Sequence, residues 1–302
     1  MIDKAPTKSF STAVLFMASS ATSLSLVGLF GKLGLHSFSL TATLFWRFFS
    51  AFLVCFIFVK WKKQVKKISH KKLTPHLFRA FFVLGSQYSF FYYVNNDSLL
   101  NATALLSTGP LFIPFIEKMF QKKRIGKSTW VGIIVAFIGV LCILQPGIEI
   151  FSPLIFIGIF SGIFQGCSQV IFGISSKEER SDLSVLYLLF ICSFFSLFPY
   201  LLLSSSGANE IPTMSLGSIL VILALGVTTF CNQIFRAEAY QRSAPGKLAV
   251  FTYISVVLAG VWDALFFHNT PNYLAILGSS LVIFGGILKI HLRNKAIKKY
   301  QK

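Results

Sequence analysis

The sequence has few charged residues and very few acidic ones. Charged residues make up 13% of the 302 positions, with 10 Asp and Glu against 28 Lys and Arg. Soluble domains carry about 25% charged residues, so half of the usual charge is missing here. Hydrophobic residues make up 54% of the chain, and the mean hydropathy is +0.71. The composition excludes a soluble globular protein and indicates a membrane protein.

The sequence also lacks the short motifs of common enzyme and metal sites. It contains no HExxH zinc pair, no GxSxG turn around a nucleophilic serine and no GxxxxGK phosphate loop. The five cysteines, an odd number, all lie inside apolar stretches and form no CxxC pair. A disulfide framework is therefore not available. We predict no enzyme activity, no cofactor and no metal site.

Ten apolar stretches have the length of a membrane-spanning helix, because a hydrocarbon core of about 30 Å needs about 20 helical residues. They lie at 13–31, 39–59, 76–94, 102–119, 129–145, 153–173, 183–203, 216–235, 247–267 and 272–290. Outer-membrane strands are about 10 residues long with alternating polarity, and these stretches do not alternate. The predicted fold class is an all-α polytopic membrane protein with ten transmembrane helices.

Basic residues concentrate on one side of the predicted membrane. Cytoplasmic loops are enriched in Lys and Arg, and with the N-terminus inside, 26 of the 28 cations fall on the cytoplasmic side. The exceptions are Lys32, at the outer end of the first span, and Arg47, inside the second. The opposite loops hold Asp97, Glu149 and Glu210. We predict that both termini are cytoplasmic and that the net charge of +18 is an orientation signal, not a nucleic-acid surface.

The two halves of the chain show signs of an internal repeat. Pairs of glycines seven residues apart occur in both the fifth and the tenth span: Gly132 with Gly139, and Gly278 with Gly285. Five spans per half is an odd number, so the halves enter the membrane in opposite directions. We predict two inverted five-helix repeats, 1–147 and 148–302. The alternative is that these glycines only allow close helix packing, which is common in membranes.

The same register aligns the fourth span with the ninth. Tyr253 then falls where Thr108 lies, and Glu117 beside Asp263, near the cytoplasmic end in one half and the outer end in the other. Pro110 removes a backbone donor within the fourth span. Such an interruption is typical of helices at transporter sites, although a kink that serves only packing is the alternative.

The chain carries loose motifs in a definite order. They are Gly31-Lys32, Trp46-Arg47, Ser107-Thr108-Gly109-Pro110, Trp130-Val131-Gly132, Ala239-Tyr240 and Ser243-Ala244. Across essentially the whole chain this order resembles the drug/metabolite transporter superfamily in its EamA-type ten-helix form. The resemblance implies two inverted repeats around a central cavity that works by alternating access. Family members often carry a Glu after the fourth and ninth helices, where this chain has Lys123-Arg124 and His268-Asn269, so that acid's role is not implied here.

Polar side chains within the spans are the candidate site residues, because such groups face protein or a wet cavity. The predicted substrate-binding residues are Ser23, Arg47, Gln87, Tyr88, Tyr92, Thr108, Gln165, Gln169, Asn232, Gln233 and Tyr253. The predicted gating or coupling residues are Lys32, Pro110, Glu117, Arg236 and Asp263. For any single residue, interhelical hydrogen bonding worth about 0.6 kcal/mol is the alternative. For Arg47 the alternatives are a substrate carboxylate and a structural role in the bundle.

A second resemblance concerns the substrate. The block Leu35-His36-Ser37-Phe38, leading to Arg47-Phe48-Phe49, is similar to S-adenosylmethionine transporters of obligate intracellular bacteria, which exchange it for S-adenosylhomocysteine. Aromatic residues would stack on adenine or contact the sulfonium, and Arg47 would meet the carboxylate. All five histidines lie in loops or at span ends, which favours exchange over proton antiport.

The predicted function is a secondary transporter in the inner membrane of a bacterium, whose partners are a small-molecule substrate and the lipid bilayer. The favoured reaction is S-adenosylmethionine uptake in exchange for S-adenosylhomocysteine. The alternatives are an exporter of amino acids or of lipophilic cations in the same fold, and a membrane scaffold without transport activity.

Overall fold

The computed structural model describes residues 7–62, 73–121, 127–144, 153–175, 180–205 and 215–300. Its helices are α1 (Thr7–Leu35), α2 (Leu40–Trp61), α3 (Leu73–Asn96), α4 (Leu99–Leu106), α5 (Gly109–Gln121), α6 (Lys127–Leu144), α7 (Pro153–Ser175), α8 (Ser181–Ser205), α9 (Leu216–Arg242), α10 (Pro245–Leu248), α11 (Ile254–Phe266) and α12 (Tyr273–Tyr300). Five of them, α1, α2, α7, α8 and α9, are each long and apolar enough to cross a membrane. The prediction of an all-α polytopic membrane protein is confirmed.

The described helices form ten segments that correspond to the ten predicted spans. Eight segments are single helices, namely α1, α2, α3, α6, α7, α8, α9 and α12. The fourth is α4 followed by α5, and the ninth is α10, a 3₁₀ turn at Ala249–Tyr253, and α11. The tenth is longer than predicted, because α12 continues to Tyr300 instead of ending near residue 290.

The fourth segment is broken in its middle. Helix α4 ends at Leu106 and α5 begins at Gly109. Between them, the hydroxyl of Thr108 donates to the carbonyl of Leu105 at 2.7 Å. Pro110 lies in the first turn of α5, where its missing N–H costs no helical hydrogen bond. This proline therefore starts a new helix after an interruption.

The ninth segment has a corresponding break. Its 3₁₀ turn ends at Tyr253, and α11 begins with the next residue. Thr108 and Tyr253, which the repeat register aligned, thus both lie where a segment changes its helical geometry. The two halves of the fold are interrupted at equivalent places.

Contacts between helices follow the predicted pairing of the two halves. If α1, α2, α3, α4/α5 and α6 correspond to α7, α8, α9, α10/α11 and α12, then equivalent helices pack on each other in α2–α8, α4–α11 and α6–α12. Replacing each helix by its equivalent in the other half converts each remaining large contact into another observed contact. In this way α1–α9 becomes α3–α7, α5–α7 becomes α1–α11, and α2–α9 becomes α3–α8. Such an exchange is expected of two inverted repeats related by a pseudo-twofold axis.

Glycines allow the closest of these contacts. A Cβ atom on Gly162 of α7 would lie 2.6 Å from the carbonyl oxygen of Leu105, beside the break in the fourth segment. A Cβ on Gly278 of α12 would lie 2.5 Å from the carbonyl oxygen of Gly139 in α6. Real Cβ atoms do not approach backbone this closely, so only glycine permits both contacts.

The distribution of polarity is that of a protein surrounded by lipid. Large apolar side chains point outward, and Leu15, Phe81 and Leu202 are each more than 60% exposed. A continuous apolar core lies mainly among α1, α2, α3, α8 and α9. Arginines and amides also lie in the interior, where polar groups avoid the cost of contact with hydrocarbon. The interior polar residues form the candidate site.

Candidate functional site

A small polar cavity lies between helices of the two halves. Its walls come from α1, α2, α3, α7 and α9 and consist of Leu24, Arg47, Arg79, Val83, Gln87, Gln165, Ser168, Gln169, Phe172, Asn232, Gln233 and Arg236. Nine of these twelve side chains are polar. The enclosed volume is about 10 Å³, which is enough for about one water molecule. In this conformation the cavity is closed to any metabolite.

Helix α7 meets its surroundings with two different faces. The glycine face, which includes Gly162, packs on the break between α4 and α5. The neighbouring face brings Gln165, Ser168 and Gln169 to the cavity, because residues three and four apart lie on one side of a helix. The amide oxygen of Gln169 accepts a hydrogen bond from the hydroxyl of Tyr240 at 2.9 Å. Close packing on one side thus fixes the amides on the other.

Arg47 joins three helices at one wall of the cavity. Its Nε donates to the hydroxyl of Thr229 at 3.0 Å and its Nη1 to the Oε1 of Gln87 at 2.5 Å. Its guanidinium lies 5.1 Å and 5.2 Å from the ring centroids of Phe48 and Phe91. The side chain is 3% exposed. These contacts link α2 to α3 and α9, which is the structural alternative that the sequence left open for Arg47.

Arg79 forms a second wall and is nearly inaccessible. Its Nη2 donates to the Oε1 of Gln233 at 3.0 Å and its Nη1 to the hydroxyl of Ser184 at 3.4 Å. The guanidinium stacks on the ring of Phe172, 3.2 Å from its centroid. A buried guanidinium over an aromatic face gains cation–π attraction. Arg79 is thus held by α7, α8 and α9 together.

Arg236 is the third arginine of the cavity lining and has a different environment. It lies on α9, one turn beyond Asn232 and Gln233, and is 3% exposed. Among the residues that the structure describes, its Nε and Nη2 have no hydrogen-bond partner. These two groups form one edge of the guanidinium, the edge that binds a carboxylate or phosphate through two parallel hydrogen bonds.

Asn232 fixes α9 against α1. Its amide nitrogen donates to the carbonyl oxygen of Ser20 at 2.8 Å and to its hydroxyl at 3.1 Å, and that hydroxyl donates to the carbonyl of Asn232 at 3.0 Å. The reciprocal pair is completely buried. It places one predicted binding residue in a structural contact at the cavity wall.

The described lining of the cavity is rich in positively charged side chains. Among the described residues it contains three arginines and no Asp or Glu. Neither Arg47 nor Arg236 forms an ion pair with a carboxylate within the described ranges. In that part of the chain no group of three His, Cys, Asp or Glu side chains is placed to hold a metal ion. The chemistry of the site is therefore hydrogen bonding and anion attraction.

Five of the predicted binding residues lie away from the cavity. Ser23 donates within α1 to the carbonyl of Ser19 at 2.9 Å. Thr108 and Tyr253 are buried at the two segment breaks, while Tyr88 packs at the edge of the apolar core. Tyr92 is 47% exposed on α3. The structure brings together the other six: Arg47, Gln87, Gln165, Gln169, Asn232 and Gln233.

Two of the predicted gating residues form an ion pair at the other end of the bundle. The Nζ of Lys32, at the end of α1, lies 3.1 Å from the Oδ1 of Asp263 in α11. The Oδ2 of Asp263 accepts from the backbone N–H of Leu100 at 2.6 Å. Lys32 also lies over the ring of Phe267, 4.3 Å from its centroid. This pair ties α1, α4 and α11 together, and the side chain of Glu117 lies outside the described residues.

The sequence reasoning missed several cavity residues. Arg79 was not among the predicted site residues, because the charge count places it on the cytoplasmic side, yet it is buried inside α3. Arg236 is on the same side in that count and is a predicted gating or coupling residue, and it is also buried. The cause is that charge counting assigns a side but not a depth. Position 79 lies within the predicted span 76–94, which was the available signal. Ser168 and Phe172 share the face of Gln165 and Gln169, so helical spacing could have found them.

Comparison with known proteins gives a consistent result. A family model described as "EamA-like transporter family" matches residues 11–145 and again 151–290. An uncharacterized transporter of Helicobacter pylori is 27% identical over 86% of this chain and 88% of its own length. A Rickettsia bellii S-adenosylmethionine uptake transporter is 23% identical over 88% and 87%. The pseudopaline exporter CntI of Pseudomonas aeruginosa is 25% identical over 67% and 70%.

A solved structure shares the fold. One crystal structure aligns over 95% of this chain and 97% of its own, with a TM-score of 0.67 at 14% identity. The two family matches divide the chain between residues 145 and 151, around the predicted repeat boundary at 147.

Proposed function

We propose that this chain, which belongs to the EamA-like transporter family, is a secondary transporter that moves a small polar metabolite by alternating access through the three-arginine cavity. The protein is a multi-pass membrane protein and not an enzyme. The observation that carries the proposal is the buried polar cavity between the two halves, lined by nine polar side chains. Such a concentration of polar groups is costly in a membrane and marks a solute path.

The closed cavity fits one step of an alternating-access cycle. With room for about one water molecule, the conformation is occluded, and transport requires the halves to separate on one side at a time. The Lys32–Asp263 pair is the proposed lock on the side that charge counting places outside. The breaks at Thr108 and Tyr253 supply interrupted helices elsewhere in the bundle, and such helices are a recurrent feature of transporters.

The proposal also includes the identity of the substrate. S-adenosylmethionine uptake in exchange for S-adenosylhomocysteine is the first candidate. A relative from Rickettsia bellii is named an S-adenosylmethionine uptake transporter, and both molecules contain a carboxylate that an arginine binds. The predicted aromatic contacts to adenine have less support. Among the described residues of the lining, Phe172 is the one aromatic side chain, and Arg79 already covers its ring.

The alternative substrates differ in how well they fit. Amino acids carry a carboxylate and suit the same arginines. Export of a lipophilic cation is not favoured, because the described residues of the lining include no carboxylate that would pair with a cation. The proposed location is the inner membrane of a bacterium, because several of the similar transporters come from bacteria.

The direct test is transport by the purified protein in proteoliposomes. Labelled S-adenosylmethionine is added outside vesicles that are loaded with S-adenosylhomocysteine or left empty, and a panel of labelled amino acids follows. We expect uptake that loading accelerates and that Gln165→Ala impairs. The control Leu15→Ala, at an outward-facing position that is 69% exposed, should transport normally. Absence of flux for every solute in the panel would refute the transporter proposal.

A further inference from the structure

The three cavity arginines differ in what already binds them. Arg47 and Arg79 each donate to a glutamine oxygen and stack on aromatic rings. Arg236 instead has its Nε and Nη2 without a partner among the described residues, at 3% exposure. Two of the three guanidinium groups are thus engaged by the protein, and the third presents its binding edge.

The lack of a partner for the Nε and Nη2 of Arg236 among the described residues has a physical cost. A buried donor without an acceptor loses its hydration and gains nothing in return, and the loss is larger for a charged group. A single group would remove this penalty, namely an anion that accepts two parallel hydrogen bonds along the Nε–Nη2 edge.

We infer that Arg236 is a substrate-binding residue, which takes the carboxylate or phosphate of the transported solute through its Nε and Nη2. This inference rests on the proposed function, and it changes the gating role that the sequence suggested for Arg236. It restricts the substrates to solutes with an anionic group. Among the first candidates, S-adenosylhomocysteine should bind more tightly than S-adenosylmethionine, because the sulfonium of the latter adds a positive charge beside three arginines.

Matched solute pairs in proteoliposomes test the inference. One pair is S-adenosylmethionine and its decarboxylated form, and the other is adenosine 5′-monophosphate and adenosine, so that the arms separate a carboxylate from a phosphate. We expect the wild type to carry the anionic member of at least one pair and to exclude the member without that group. Equal transport of both members of the pair would overturn the inference while the transporter proposal stood.

Variants on α9 test the residue itself. Arg236→Gln should raise the half-saturating concentration of the carried solute about 10- to 100-fold, or about 1.4–2.8 kcal/mol at tenfold per 1.4 kcal/mol. Arg236→Lys keeps the positive charge but lacks the two parallel N–H donors of the guanidinium. Its half-saturating concentration should fall between those of the wild type and Arg236→Gln. The matched control is Arg242→Gln on the same helix, since Arg242 pairs with Glu238 outside the cavity. An unchanged half-saturating concentration in Arg236→Gln would overturn the inference.

If the protein carries neither pair, that result counts against the proposed function. A stability measurement without any solute then still tests the inference. Removing an unpaired buried charge removes its cost, so Arg236→Met should raise the melting temperature of the purified protein by about 2–4 °C or more. Arg79→Met should lower it, because the bonds to Gln233 and Ser184 are lost. A fall in Arg236→Met comparable to that in Arg79→Met would show a structural partner and overturn the inference.

Discussion

Neutralising Asp263 should open one end of the transporter. Asp263→Asn keeps an oxygen for the backbone N–H of Leu100, which now donates to Oδ2 at 2.6 Å. It removes the charge that faces the Nζ of Lys32 at 3.1 Å. The perturbation therefore acts on the ion pair and leaves the helix contact with α4 in place. We expect the closed form to lose stability relative to the form that is open on this side.

The size of the effect follows from the burial of the pair. Breaking a fully buried ion pair costs about 3–5 kcal/mol. The side chain of Asp263 is 2% exposed but that of Lys32 is 13% exposed, so water screens the lysine and about 1–3 kcal/mol is a reasonable range. A free energy of that size shifts the ratio of the two forms about 5- to 150-fold.

Cysteine labelling measures this ratio. Ser168→Cys, placed in a chain without its five native cysteines, puts one thiol in the cavity. A membrane-impermeant maleimide added to the predicted outer side should label it about 5- to 150-fold faster when Asp263→Asn is present. The control is Asp182→Asn, which breaks the Arg180–Asp182 pair on the opposite side. An unchanged rate in Asp263→Asn, or an equal rise in the control, would refute the assignment of Lys32 and Asp263 as a lock.

Three further outcomes follow from the packing. Gly162→Ala should sharply reduce the yield of folded protein, because its Cβ would lie 2.6 Å from the carbonyl oxygen of Leu105. The control is Gly217→Ala, whose Cβ would meet only Ser215 Oγ at 3.7 Å. Size-exclusion chromatography of the detergent-solubilised proteins compares the two yields. Gln165→Ala should raise the KM for the carried solute by about tenfold, because a hydrogen bond to the solute is lost. The KM of the control Tyr92→Ala should stay unchanged, since Tyr92 lies away from the cavity. Arg47→Met should lower the melting temperature, since Gln87 and Thr229 lose their donor, and thermal denaturation in detergent checks this.

The fold could be predicted because membrane insertion depends on local features. Apolar length defines each span, and spans of suitable length were found even where the helix is broken, as at Thr108. The repeat register aligned that residue with Tyr253, and both lie at breaks in the structure. The pairing of Lys32 with Asp263 was within reach for the same reason, since each lies at the outer end of its predicted span.

The composition of the cavity was less accessible from the sequence. A helix that is apolar on most sides gives little information about which face points inward, so Tyr92 was placed in the site although it is half exposed. Arg79 lies close to a basic segment, so charge counting places it on the cytoplasmic side and gives no sign that it is buried. Its true environment depends on Phe172 and Gln233 from distant parts of the chain, and only the folded structure brings these together.

In the proposed mechanism, solute passes through the cavity at Ser168. The most direct measurement is solute uptake by proteoliposomes containing the single cysteine Ser168→Cys, before and after complete reaction with a maleimide. We expect that labelling stops uptake and that a carried solute slows the labelling reaction. Uptake that continues at its original rate after complete labelling would show that solute does not pass through this cavity.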